Sequence, residues 1–151
     1  MNYIEEKGNV FDEKFLADHN IFFAQCISAD FAMGTGIAVE FNNYFCTKQR
    51  LTQRIGTYVP VWDSNIIKGS CIREGRVLNL ITKRNYWNEP TLQQMRYALD
   101  EMKTLAEEYD IETIVMPKIG CGIDRLSWSN VSILVQDVFD ETNINIIVRH
   151  L

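Results

Sequence analysis

The chain has 151 residues, of which 46% are hydrophobic and 23% are charged; this balance suffices for one domain with its own core and disfavours an intrinsically disordered chain. The formal net charge is −5 and the basic residues are scattered, which argues against duplex nucleic acid as the main partner, because such binding needs Lys and Arg to neutralise phosphates. The apolar stretches are far shorter than a membrane span and the polar first residues are unlike a signal peptide, so we expect one domain over residues 1–151 that acts in the cytoplasm.

Strand-like and helix-like patterns alternate along the whole chain. In chain order, the sequence predicts a strand at 3–6, a strand at 21–27, helices at 37–45 and 47–55, strands at 59–62, 71–73 and 77–82, a helix at 90–109, a strand at 113–116, a helix at 128–139 and a strand at 144–148. Pro90 suits the first position of its helix, and Ser127 suits the N-cap of the next one. The alternation predicts an α/β sheet covered by helices on both faces, with ligand sites at the carboxyl ends of the strands.

Two glycine-containing loops each connect a predicted strand to a predicted helix. The first glycine loop, residues 28–36, contains Gly-Thr-Gly, and the second, residues 117–124, contains Gly-Cys-Gly. Glycine lets the backbone approach a ligand closely, and the free N–H groups of a helix start bind phosphate. Either loop alone also fits a plain strand-to-helix turn. Together the two loops favour a diphosphate ligand.

A lysine and an aspartate are the candidates for chemistry. Lys83 follows the strand at 77–82, and Asp124 ends the second glycine loop. A lysine amine can form a Schiff base with a sugar aldehyde, and a carboxylate can act as general acid or base. On residue type alone, a solvated strand-end lysine and a turn aspartate fit equally well. Cys121 has no histidine near it in sequence, which disfavours a nucleophilic thiol.

Other polar and aromatic side chains have two interpretations each. Ser28 is either a hydrogen-bond donor to a ligand or a cap at a strand end. Asn9 is either a turn residue or a reader of a base edge, because an amide offers both a donor and an acceptor. Tyr86 and Trp87 either line a pocket or lie on the surface of a loop.

Cysteine spacing argues against metal and disulfide chemistry. The four cysteines form no CxxC pair, and neither of the two histidines lies at metal-ligand spacing to them. We therefore expect free thiols in a reducing compartment, with no metal and no cofactor.

Several of these segments resemble the macrodomain family, and within it the branch of terminal ADP-ribose protein glycohydrolases. The matching segments are YIEEKGNVF at 3–11, CISADFAMGTGIAV at 26–39, LITK at 80–83, PT at 90–91 and MPKIGCGIDRLSW at 116–128. The resemblance runs in unbroken order to Leu151. It implies a three-layer α/β/α sandwich with a central mixed sheet and a cleft for ADP-ribose.

The resemblance also implies roles for individual residues. Lys83 would attack C1″ of the distal ribose and Asp124 would handle the proton transfer. The residues that it places along the ligand, from the adenine end to the phosphates and distal ribose, are Asn9, Val10, Ser28, Gly34, Gly36, Ile37, Ala38, Lys118, Ile119, Gly120, Cys121, Gly122, Ile123 and Leu151. Family members often have an aspartate at the position of Asn9; the amide keeps a hydrogen-bond acceptor for adenine but lacks the charge.

The expected function is a monomeric hydrolase that removes ADP-ribose from modified acidic side chains or from O-linked ADP-ribose derivatives. Two alternatives use the same cleft. One is a phosphatase acting on ADP-ribose 1″-phosphate. The other is a non-catalytic binder of ADP-ribose or of a signal nucleotide derived from it.

Overall fold

Helices and strands alternate along the chain, as the sequence predicts. The structure, a computed structural model, describes residues 1–56, 69–122 and 124–151. Its elements are β1 (Asn2–Lys7), α1 (Glu13–Ala17), β2 (Ile21–Ser28), α2 (Ile37–Phe45), α3 (Thr47–Ile55), β3 (Ser70–Glu74), β4 (Val77–Lys83), α4 (Leu92–Glu108), β5 (Thr113–Met116), α5 (Trp128–Phe139) and β6 (Asn145–His150). The strand predicted at residues 59–62 lies outside the described residues, as does the predicted site residue Ile123.

The six strands form one mixed sheet in the order β1-β6-β5-β2-β4-β3. The contacts of β1 with β6, β6 with β5, β5 with β2 and β2 with β4 are parallel, whereas β3 is antiparallel to β4. The carboxyl ends of five strands therefore lie along one edge of the sheet. Because β2 lies between β4 and β5, the loops that follow these three strands meet there.

Helices cover both faces of the sheet. Along β4, Leu78 and Leu80 belong to the hydrophobic cluster that also contains Met95 of α4 and Val135 of α5. Side chains of opposite parity point to the other face, where Val77 and Ile81 join the clusters that hold residues of α1, α2 and α3. All seven residues of β4 are buried. The predicted three-layer α/β/α sandwich with a mixed sheet is confirmed.

The helices α2, α3 and α5 have the predicted bounds, but the start of α4 was predicted wrongly. Pro90 precedes the helix, and Thr91 is its N-cap. The hydroxyl of Thr91 accepts a hydrogen bond from the N–H of Gln94 at 3.1 Å, and the Gln94 side chain accepts one from the N–H of Thr91 at 2.8 Å. This capping box satisfies two free donors that a start at Pro90 would leave unpaired.

Two further details differ from the expectation. The short helix α1 was not predicted, because five residues with one buried side chain, Phe15, leave no periodic pattern. Ser127 is the N-cap of α5 as predicted, but its hydroxyl hydrogen-bonds to the hydroxyl of Ser129 at 2.9 Å and makes no cap bond. Among the described residues, no helix has the length and apolar character needed to cross a bilayer.

Candidate functional site

A cleft of about 770 Å³ opens at the carboxyl ends of β2, β4 and β5. Its wall is formed by the two glycine loops together with the start of the loop between β4 and α4, residues 84–91. The sequence-predicted site residues that line it are Ser28, Gly34, Gly36, Ile37, Lys83, Lys118, Ile119, Gly120, Gly122 and Asp124. The structure thus brings the two glycine loops, which are more than eighty residues apart, to one cavity.

Lys83 and Asp124 form an ion pair in this wall. The Nζ of Lys83 lies 2.6 Å from Oδ1 of Asp124, and the two side chains are only 10% and 14% exposed. The same Nζ donates a hydrogen bond to the backbone carbonyl of Tyr86 at 3.1 Å. Lys83 ends β4 and Asp124 follows β5, so the pair spans the end of β2, which lies between them. An amine and a carboxylate are therefore held together in the wall of a ligand-sized cleft.

The first glycine loop is held in shape by Asp30. Oδ1 of Asp30 accepts hydrogen bonds from the Ser28 hydroxyl at 2.5 Å and from the N–H of Ala32 at 3.1 Å. Its Oδ2 accepts a third, from the N–H of Tyr86 at 3.0 Å. The loop includes two non-glycine residues in the left-handed region, Phe31 at φ 55° and Met33 at φ 48°, a conformation that the surrounding contacts must maintain.

The N-terminus of α2 forms one side of the cleft. Its N-cap is Gly36, at φ 64° and ψ −151°, and no side chain caps this helix. Gly36 and Ile37 both line the cleft. The first N–H groups of a helix carry partial positive charge and lack intrahelical partners. This end of α2 is consequently suited to an anionic group such as phosphate.

The second glycine loop combines one tightly packed glycine and one open glycine. Gly120 has φ 73°, and a Cβ on it would lie 2.7 Å from Cε of Met95 and 3.1 Å from Cδ1 of Leu126. A Cβ on Gly122 would meet nothing within 4 Å. Gly122 lines the cleft, so its backbone can be approached closely by a ligand.

Cys121 belongs to the second glycine loop but not to the cleft wall. It is half-buried, and its thiol hydrogen-bonds to the carbonyl of Ile119 at 3.2 Å. Burial, its largest cause, raises the pKa of Cys121 to about 11. Burial likewise raises the pKa of Cys26, which lines the cleft, well above its usual value. Both thiols are protonated at neutral pH, and a protonated thiol is a poor nucleophile.

Four other predicted residues lie outside the cleft wall. Asn9 and Leu151 follow the carboxyl ends of β1 and β6, and the N–H of Gly8 binds the carbonyl of His150 at 2.8 Å between them. Val10 and Ala38 are buried, whereas Leu151 is 95% exposed. Asn9 and Leu151 therefore lie on the same sheet edge as the cleft, beyond β5.

Of the two interpretations given for the aromatic pair, Tyr86 lines the cleft, whereas Trp87 is exposed and does not. Thr35, within the predicted turn at residues 34–38, also lines it. Sequence reasoning missed the aspartate that organises the wall and five residues of the wall itself: Cys26, Ile27, Ala32, Met33 and Pro117. The sequence could have indicated one role of Asp30. An aspartate just after a strand commonly accepts a hydrogen bond from the backbone N–H of the residue two positions later in the chain. The hydrogen bond that Asp30 accepts from the N–H of Tyr86 could not be predicted, because no sequence pattern relates the two residues.

The described part of the chain contains no cluster of three or more His, Cys, Asp or Glu side chains able to hold a metal ion. Lys83 and Asp124 place an amine and a carboxylate side by side in the cleft wall. Together with the uncapped end of α2 and the open backbone at Gly122, they can bind an anionic ligand and exchange a proton next to it.

Comparison with known proteins finds relatives of this chain by sequence and by fold. Residues 26–135 match the sequence model of the Macro domain family. The chain is 38% identical over 127 residues to the ADP-ribose glycohydrolase OARD1 of Bos taurus, covering 83% of this chain and 79% of that protein. Over 129 residues it is 37% identical to the protein of the same name from Homo sapiens, covering 85% and 80%. Among solved structures, the macrodomain of Thermus aquaticus DarG has a TM-score of 0.76 at 16% identity, over 99% of this chain and 98% of that one.

Proposed function

Because this chain belongs to the macrodomain family, we propose that it is an ADP-ribose-binding hydrolase that removes ADP-ribose from modified acidic side chains or from related O-linked derivatives. The observation that carries the proposal is the contact of 2.6 Å between Lys83 and Asp124 in the cleft wall. The relatives named ADP-ribose glycohydrolases, at 37% and 38% identity over most of both chains, support the hydrolytic assignment.

The pyrophosphate of the ligand would lie between the two glycine loops. Backbone N–H groups at the start of α2, around Gly36 and Ile37, face it from one side. The backbone around Gly122 would face it from the other, and Lys118, which also lines the cleft, would add a positive charge. Main-chain donors bind phosphate without any excess of basic residues, which reconciles an anionic ligand with a chain whose formal charge is −5.

The adenine would extend along the sheet edge towards Asn9, Val10 and Leu151. Oδ1 of Asn9 already accepts a hydrogen bond from the N–H of Phe11 at 2.9 Å. A carbonyl oxygen has two lone pairs, so one remains for the adenine amino group. The backbone carbonyl of Asn9 accepts a bond from the buried Arg149 guanidinium at 3.3 Å, which fixes the position of this turn.

In the proposed reaction, Lys83 is the nucleophile and Asp124 moves the protons. A proton first passes from Nζ to the Asp124 carboxylate, which frees the lone pair of the amine. Nζ then bonds to C1″ of the distal ribose while the bond between C1″ and the carboxylate oxygen of the modified side chain breaks. The departing carboxylate keeps that electron pair and takes the proton from Asp124.

Water completes the cycle. The Asp124 carboxylate removes a proton from water as the hydroxide oxygen bonds to C1″ and the C1″–Nζ bond breaks. The amine leaves with the electron pair and receives the proton from Asp124. Free ADP-ribose is released, and the ion pair of lysine and aspartate is restored.

The experiment compares Lys83→Ala and Asp124→Ala with a matched control, Lys103→Ala on α4. The substrate is a protein ADP-ribosylated on glutamate, and released ADP-ribose is quantified by mass spectrometry. We expect both site variants to lose turnover while still binding ADP-ribose, and the control to retain both. Full turnover in both site variants would refute the mechanism. Phosphate release from ADP-ribose 1″-phosphate, measured on the same preparation, tests the phosphatase alternative, and tight binding without turnover would favour the binder.

The organisation and location of the protein are also proposals. We propose one macrodomain over residues 1–151, because the first strand, β1, pairs with the last, β6. The cysteines at 26, 46, 71 and 121 are free thiols, which fits a reducing compartment such as the cytoplasm. A monomer with a small or protein-bound ADP-ribose ligand, and no nucleic-acid partner, is the simplest assembly that fits the charge.

A further inference from the structure

Two exposed aromatic side chains lie beside the cleft: Tyr86 lines it, and Trp87 packs against Tyr86. Tyr86 and Trp87 are 62% and 67% exposed, and their rings pack edge to face at a centroid distance of 5.0 Å and an angle of 88°. Among the described residues, neither ring belongs to the hydrophobic clusters of the core. Their packing therefore contributes little to the fold, whereas paired aromatic rings on a surface are typical of a contact with another molecule.

The turn that carries the two rings is held firmly. Asn85 donates its N–H to Oδ1 of Asn88 at 2.9 Å, and the N–H of Asn88 binds the carbonyl of Asn85 at 3.0 Å. The N–H of Tyr86 is bound by Asp30 at 3.0 Å. A surface that is already ordered loses little conformational entropy when a partner binds.

The rings also have a fixed relation to the reacting centre. The carbonyl of Tyr86 accepts the hydrogen bond from Nζ of Lys83 at 3.1 Å, and Tyr86 lines the cleft. In the proposed reaction Nζ attacks C1″, and the departing group is bonded to that same carbon. Acidic side chains are short, so the polypeptide that bears one must pass close to Lys83 and to the neighbouring Tyr86 turn.

We propose that Tyr86 and Trp87 bind the polypeptide segment that carries the ADP-ribose. This inference rests on the proposed function and specifies its substrate class as a modified protein. The aromatic pair selects for a polypeptide leaving group, because a small carboxylate bonded to C1″ does not extend beyond the cleft to reach Trp87. The cleft provides the affinity for ADP-ribose, and the aromatic pair adds affinity only when a polypeptide is attached.

The test uses two substrates that share the ester bond and differ in the leaving group. One is a protein ADP-ribosylated on glutamate, and the other is ADP-ribose esterified with acetate. We expect Trp87→Ala to lower kcat/KM for the modified protein by about tenfold, the usual scale for removing an aromatic contact residue, and to leave kcat/KM for the acetate ester unchanged. Trp87→Phe should recover most of the loss. Tyr97→Ala, which removes an exposed aromatic ring from α4, is the matched control and should affect neither substrate.

The outcomes separate this inference from the proposed function. Equal losses of kcat/KM on both substrates, or no loss on either, would overturn the role of the aromatic pair while the hydrolase assignment stands. A wild-type protein that releases ADP-ribose from neither substrate would overturn the proposed function, and the inference with it. Thermal unfolding and the Kd for ADP-ribose, measured for every variant, show that a selective loss does not arise from misfolding.

Discussion

The carboxylate of Asp30 accepts a hydrogen bond from the backbone N–H of Tyr86, 56 residues away, at 3.0 Å. This bond joins the first glycine loop, which is expected to hold phosphate, to the loop that follows Lys83. The backbone carbonyl of the same residue, Tyr86, accepts a hydrogen bond from the amine of Lys83 at 3.1 Å. Asp30 thus connects the binding side of the cleft to its reacting side, although its hydrogen bonds within the described part of the chain go to Ser28, Ala32 and Tyr86.

Asp30→Ala is expected to lower turnover more than it lowers affinity for ADP-ribose. The substitution removes three hydrogen bonds from a half-buried carboxylate, which should reduce the free energy of unfolding by about 1–3 kcal/mol. It also frees the Tyr86 turn, so the Lys83 amine loses a fixed position. The measurement is kcat and KM with an ADP-ribosylated protein, beside urea denaturation.

Asp30→Asn is the comparison that tests position rather than stability. The amide oxygen can still accept from Ser28 and Ala32, but its NH₂ group would face the N–H of Tyr86, and two donors cannot pair. The kcat should therefore fall although most stability is retained. An unchanged kcat in Asp30→Asn would argue against a positioning role.

The ion pair of Lys83 and Asp124 should reveal its effect on stability when one partner is removed. Lys83→Met leaves a carboxylate that is only 14% exposed without its cation, which should lower the free energy of unfolding by about 2–4 kcal/mol. In the double variant Lys83→Met/Asp124→Leu, apolar side chains replace both charges. We expect urea denaturation to show recovered stability there, while release of ADP-ribose remains absent. Recovery of activity in the double variant would contradict the proposed chemistry.

The half-buried thiol of Cys121 predicts a loss of stability in alkali. Its pKa rises from 9.0 to about 11 on folding, mainly through burial, so the folded state holds the proton more tightly than the unfolded state. Between these two values the unfolded state releases its proton first, and the free energy of unfolding falls as pH rises. The stabilisation is fully present below pH 9 and declines up to about pH 11.

Urea denaturation across this pH range, on the wild type and on Cys121→Ala, measures that contribution. The decline in unfolding free energy should be smaller in Cys121→Ala, because the titrating group is gone. Part of the decline should persist in the variant, since burial also raises the pKa of Cys26 and Cys71. An identical decline in both proteins would mean that Cys121 titrates normally.

The sequence predicts helices and strands well where a periodic pattern is long. It predicts contacts poorly where they depend on the order of the strands in the sheet. Apolar spacing predicts α5 with its observed bounds, whereas the five residues of α1 are too few to show such spacing. Lys83 and Asp124 could be named as candidates from their places at strand ends. The contact between them could not be predicted, because it depends on β2 lying between β4 and β5.

The part of the site that sequence reasoning missed consists largely of backbone groups. The carbonyl and the N–H of Tyr86 both organise the cleft, and any residue except proline offers the same two groups. The glycines were recognised because their conformational freedom is a property of the side chain that they lack. What distinguishes Gly120 from Gly122 is the packing around each, which only the structure shows.

These two glycines predict opposite effects of the same substitution. In Gly120→Ala, the new Cβ would lie 2.7 Å from Cε of Met95 in a backbone at φ 73°, so we expect a loss of about 1–3 kcal/mol in unfolding free energy. In Gly122→Ala, the Cβ meets no atom within 4 Å, and the unfolding free energy should stay within about 0.5 kcal/mol of the wild type. That Cβ would nonetheless occupy space along the cleft where the ligand is expected to approach the backbone.

Isothermal titration with ADP-ribose, beside urea denaturation, separates the two effects. Gly122→Ala should weaken binding by about tenfold or more, because a phosphate held by main-chain N–H groups tolerates no side chain between them. Gly75→Ala is the matched control, since a Cβ there also meets open space but lies in the turn between β3 and β4. Its positive φ of 58° should reduce stability without changing affinity. Wild-type affinity in Gly122→Ala would mean that the pyrophosphate does not lie against the second glycine loop.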